Sequence, residues 1–104
     1  MSAMARADAW DTDQNLLCER LADRLRAEGS PHPAAAAVAL AVRGWLGCDR
    51  AEFATRHHLD LGVVEAIDAG AVPLADLPPP VLLAARHELG LDLDHLAALD
   101  APPA

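Results

Sequence analysis

Lysine and tyrosine are missing from this 104-residue chain, and the aromatic residues are reduced to Phe53, Trp10 and Trp45. All side-chain positive charge at neutral pH therefore rests on eight arginines, against 16 acidic residues and a net charge of −8. That balance argues against a free electrostatic hold on phosphate, because nonspecific nucleic-acid affinity depends on cationic side chains that displace counterions. Scarce aromatics leave the core to Ala, Leu and Val, a mixture that packs best as helices. Cys18 and Cys48 lie far apart with no CxxC or Cys/His spacing, so they read as two reduced thiols and not as a zinc site. No apolar run reaches the roughly 18 residues of a membrane span, and residues 1 to 11 lack the basic start and apolar stretch of a secretory signal. The expected location is cytoplasmic, with no membrane partner.

What is present suits one domain with a single modest core. Residues 1 to 11 read as a flexible lead, with Trp10 its one anchor. An amphipathic helix is expected over residues 12 to 29, where Leu17, Leu21 and Leu25 recur at four-residue spacing and Glu19, Arg20, Asp23, Arg24 and Arg26 fill the other faces. Gly29 ends it, and Pro33 suits the first position of the next helix, where its missing donor costs nothing. Residues 34 to 46 are apolar nearly all round until Arg43, which predicts a central core helix with Trp45 sealing one side.

Further on, Asp49 and Glu52 have the spacing of a capping box that opens a helix over residues 50 to 57. Asp60 caps a helix over residues 61 to 69, and Gly70 supplies the left-handed residue that ends it. A loop over residues 71 to 78 leads to a helix at 81 to 89. Asp92 caps a last one at 93 to 99, before the tail of residues 100 to 104. The expected fold class is all-α, with five or six short helices and no sheet.

Residues 50 to 70 set two short helices across a tight turn. Such a crossing needs a small residue at the contact, a turn residue that tolerates positive φ, and apolar flanks. Ala54 is the small contact, His58 sits in the turn, Phe53 and Leu59 flank it, and Val64 and Ile67 face inward. Together with Ile67-Asp68-Ala69-Gly70, Val72-Pro73 and Leu89-Gly90-Leu91-Asp92, this ordered set resembles the lambda-repressor-like, or XRE, helix-turn-helix family. The resemblance covers about residues 34 to 99, so the domain is drawn over residues 33 to 99. The helix of residues 12 to 29 stands outside it as an addition, and its leucine stripe either packs on the chain's own core or offers an association surface for a partner or a second copy in a homodimer.

The resemblance implies that the second helix of the pair enters the major groove of DNA. The base-facing positions then fall on Asp60, Leu61, Gly62, Glu65 and Ala66, none of which can donate a side-chain hydrogen bond to guanine or phosphate. Arg50 stands where the family often has a phosphate-contacting Gln, with Arg43 and Arg56 as neighbours. These arginines read equally well as surface residues that balance nearby carboxylates. Between Asp49 and Gly70 there are five acidic residues and two arginines, so the presumed DNA face is net negative. Three functions remain open: a transcriptional regulator that binds DNA weakly or with a partner, an adaptor or antitoxin-like protein-interaction module that uses the acidic face, and a purely structural subunit of a larger assembly.

No nucleophile, phosphate-loop or paired-carboxylate pattern of an enzyme is visible, and no cofactor is implied. His57 and His58 are adjacent on a helix end and point in different directions, which disfavours a metal site. His32, His87 and His95 read as half-exposed residues.

Overall fold

The computed structural model describes the backbone of residues 3–100 and the side chains of residues 14–100. Its elements are α1 (Ala3–Ala27), α2 (Pro33–Leu46), α3 (Arg50–Arg56), α4 (Leu61–Asp68), a 3-10 turn (Leu74–Asp76), α5 (Pro79–His87) and α6 (Leu93–Asp100). The described part is thus all-α, with six α-helices and no strand. Within it, no helix is long and apolar enough to cross a membrane.

α2 is the axis. Pro33 to Ala39 and Val42 are all buried, and α1, α4, α5 and α6 pack around them. Methyl-sized side chains let backbones approach closely, so one helix can be covered on several sides. Pro33 sits in the first turn, and the free amides of Ala34 and Ala35 donate to the two oxygens of Asp100, at 2.7 and 3.1 Å. The last residue of α6 therefore supplies both the hydrogen bonds and the negative charge that a helix N-terminus favours.

α1 starts earlier than the sequence pattern suggests. The flexible lead expected for residues 1 to 11 is helical from Ala3 on. Alanine alternates through this stretch and no Pro or Gly interrupts it, so a helix held by packing further along propagates upstream. The Trp10 anchor lies outside the residues whose side chains are described. The buried face is also rotated from the expected leucine stripe. Cys18 and Ala22 are buried, with Leu21 and Leu25 packed beside them, whereas Leu17 is 56% exposed. That buried face lies along α2, as packing on the chain's own core requires, while Leu16 and Leu17 stay exposed.

The other end of the chain is tied back onto α1. Asn15 donates from Nδ2 to the Gly90 carbonyl at 3.1 Å and accepts from the Asp92 amide at 2.8 Å. Nearby, His95 bonds Glu19 and Arg26 donates to the Leu99 carbonyl. Asp92 caps α6 as expected, accepting from the His95 amide.

α5 begins at Pro79, two residues before the expected start, because proline is preorganised for a first helical turn. Within the expected loop, residues 74 to 76 form the 3-10 turn, and Leu74 and Leu77 are buried around it. Trp45 does not seal the core: it is 46% exposed, and among the described side chains Phe53 is the buried one of the two Phe and Trp residues.

Candidate interaction site

The pair α3 and α4 is built as its sequence dictates. Asp49 accepts from the Glu52 amide at 2.8 Å while Glu52 accepts from the Asp49 amide, which closes the capping box. α3 then stops because His58 adopts φ 55° and Leu59 donates to the Ala54 carbonyl at 2.8 Å. A non-glycine residue in this region is uncommon, and His belongs to the few types enriched there. Ala54, Val64 and Ile67 are buried, with Leu59 packed against them.

α4 ends in a Schellman motif, in which Gly70 donates to the Ile67 carbonyl and Ala71 to the Ala66 carbonyl, with Gly70 at φ 78°. One expectation needs correction. Asp60 stands at the cap position, yet its carboxylate accepts no capping hydrogen bond and is exposed.

That exposure shapes the outward face of α4. Leu61 is 45% and Val63 39% exposed, Gly62 and Glu65 are exposed, and Ala66 is half-buried. Two aliphatic side chains, Leu61 and Val63, are therefore exposed on α4, as are the carboxylates of Asp60 and Glu65. Val63 was not among the positions singled out from the sequence; its β-branched side chain follows Gly62 on a helix too short for a clear period.

The arginines are arranged differently from what phosphate binding requires. Arg43 Nη1 and Arg50 Nε both lie against one oxygen of Asp68, at 2.6 and 2.8 Å. The Asp68 and Arg43 side chains are 8% and 13% exposed, and that of Arg50 is 57% exposed. Asp68 is the member of this cluster that sequence reasoning missed. The available signal was electrostatic: a carboxylate in the last turn of α4 faces the negative end of the helix dipole and needs cations nearby. Removing one partner from a buried ion pair costs about 3 to 5 kcal/mol, so Asp68 holds Arg43 firmly and the more exposed Arg50 less so. Arg56 is exposed and forms no salt bridge among the described residues.

His57 closes the other side of the pair, its ring edge-on to Phe53 at 4.6 Å between centroids. Burial pushes its pKa below the ordinary histidine value, and the neighbouring Arg56 adds to the shift. Neither cysteine is in a disulfide. The Cys18 thiol is pushed up to about 12, chiefly by burial. Among the described residues no group of His, Cys, Asp and Glu is placed to hold a metal ion. No protein-family model matches the chain, and neither a curated protein nor a solved structure matches it.

Proposed function

We propose that this chain is a regulatory interaction module whose helix-turn-helix, of the repressor-like kind, docks a basic protein through the outward face of α4. The observation that carries the reading is the capture of Arg43 and Arg50 by Asp68, which leaves the exposed side chains of Leu61 and Val63 and the exposed carboxylates of Asp60 and Glu65 as the surface chemistry of that helix. The positive φ of His58 and the joint burial of Ala54, Val64 and Ile67 support the helix-turn-helix assignment itself.

Covering two half-exposed aliphatic side chains contributes about 1 kcal/mol each. The surrounding carboxylates, in a chain of net charge −8, steer a cationic partner and repel phosphate. DNA binding through α3 and α4 would have to rest on Arg56 and on an Arg50 released from its carboxylate.

Fluorescence anisotropy with an amphipathic Leu/Lys peptide and with labelled DNA duplexes separates the two readings. The expected result is peptide binding that weakens with salt and falls by about tenfold in Leu61→Asp and in Glu65→Lys, with duplexes left unbound even at low salt. Duplex binding that strengthens in Glu65→Gln and weakens in Arg50→Ala would replace this reading with the DNA one.

A further inference from the structure

Six large hydrophobic side chains stay exposed among the described residues, and four of them stand on two helix faces of opposite character. Leu61 and Val63 belong to α4, where Asp60 and Glu65 are also exposed. The other two of the four, Leu16 and Leu17, are 42% and 56% exposed on α1. Helical register sets Arg20 one turn after both leucines and Arg24 one turn after Arg20. These four side chains form a single stripe, on the side of α1 away from the buried Cys18 and Ala22.

Both arginines are exposed and make no ion pair among the described residues. Of the nearby carboxylates, Asp23 is taken by Arg26 at 3.2 Å, Glu19 bonds His95, and Glu28 lies beyond the last arginine of the stripe. Three of the eight arginines fall between Arg20 and Arg26 with Asp23 as the one carboxylate, so this side of α1 is locally positive in a chain of net charge −8.

On α4 the buried Val64 and Ile67 fix the opposite side as the outward one. Register puts Gly62 and Ala66 at its middle, with Leu61 and Glu65 along one edge and Val63 along the other. A Cβ on Gly62 would meet nothing within 4 Å, so the middle of this face is open. Helices approach closely where small residues lie between larger ones, which suits such a face to receive a ridge of leucines.

We propose that the outward face of α1 in one copy of the chain packs on the outward face of α4 in a second copy, head to tail. Leu16 and Leu17 then cover Gly62 and Ala66 between Leu61 and Val63, and Arg20 and Arg24 meet Glu65 and Asp60. Each face loses exposed aliphatic surface and gains charges of opposite sign, whereas against its own kind it would meet only like charges. The net charge opposes association at long range, but at physiological salt repulsion is screened beyond about 8 Å, and the facing charges act at contact. The inference rests on the docking reading for the α4 face, and it names the basic surface that docks there as α1 of a second copy.

Sedimentation equilibrium of the full chain in about 0.15 M salt, at concentrations up to about 1 mM, tests this. The mass should rise above that of one chain with concentration, and Leu17→Asp, Arg24→Glu and Leu61→Asp should each weaken association by about tenfold. All three alter exposed residues, and unchanged thermal melts establish that the variants fold. Leu17→Asp keeps a sound α4 face and Leu61→Asp a sound α1 face. Their equimolar mixture should therefore associate more strongly than either variant alone, which pairing of like faces does not allow. A chain monomeric throughout, association indifferent to Leu17→Asp, or a mixture no stronger than its components overturns the proposal. The Leu/Lys peptide is titrated in parallel. Peptide binding that Leu61→Asp weakens, in a chain that stays monomeric, would sink self-association and leave the docking face. Association through the two faces without peptide binding would uphold the proposal and remove a foreign basic partner.

Discussion

Gly70 shows how one residue meets two constraints at once. Its φ of 78° is left-handed, and a Cβ placed on it would lie 1.9 Å from Ser30 Oγ. The first constraint follows from its place after a capped helix, and is legible in the sequence. The second is not, because Ser30 arrives from the far side of the α1–α2 connector. Gly70→Ala should therefore destabilise the chain by about 2 kcal/mol or more, above the strain of a left-handed alanine alone. Urea unfolding monitored by circular dichroism reads the difference, and a variant within about 0.5 kcal/mol of wild type would show that Ser30 simply moves aside.

His57 carries a pH dependence of definite sign. Its folded pKa lies below the ordinary value, so the unfolded chain takes up the proton first. The associated stability is complete above about pH 6.5 and is lost as the pH falls through the lower folded value. His57→Leu should flatten the decline of the urea midpoint between about pH 7 and pH 5. Parallel declines in the two proteins would remove His57 from the account.

Among the elements, α2 was the most legible, since an unbroken apolar run begun by Pro33 could only be a buried helix. Its N-terminal cap was not legible, because the ligand to its amides is Asp100, at the other end of the chain. Asp100→Ala should cost about 1 to 2 kcal/mol, as loss of a helix cap does. Asp100→Asn should recover part of that, because one amide oxygen can still accept. A melting temperature unchanged in Asp100→Ala would show that water replaces the carboxylate. α1 illustrates the opposite case: four-residue spacing found the helix but put Leu17 on its inner stripe, where Cys18 and Ala22 lie instead. Small residues carry little weight in a hydrophobic pattern, yet against the methyl-lined α2 they allow the closest approach.

At the scale of the whole molecule, α1 is packed and hydrogen-bonded onto the rest of the chain. The face of α1 is buried on α2, its C-terminal end meets that of α4, and Asn15, Glu19 and Arg26 are bonded to the segment from Gly90 to Leu99. Deleting residues 1 to 28 should therefore abolish the cooperative thermal transition, because Ala34 to Ala39 would lose the helix that covers them. A shortened chain that still melts cooperatively as a helical domain would make α1 a separable addition after all.

The sequence by itself determined the all-α class, the six helical segments in outline, the capping box at Asp49, the left-handed turn at His58 and the inward set Ala54, Val64 and Ile67. All of these depend on neighbours within a few residues, where periodicity and backbone conformation leave few alternatives. Only the tertiary structure decided what the arginines face, which carboxylate caps α2 and which faces of α1 and α4 stay exposed. Arg43, Arg50 and Asp68 belong to three different helices, and Asp100 reaches α2 across a sequence separation of 66 residues. Charge is not periodic, and its partner is set by the packing of apolar faces that leave no trace at the charged positions themselves.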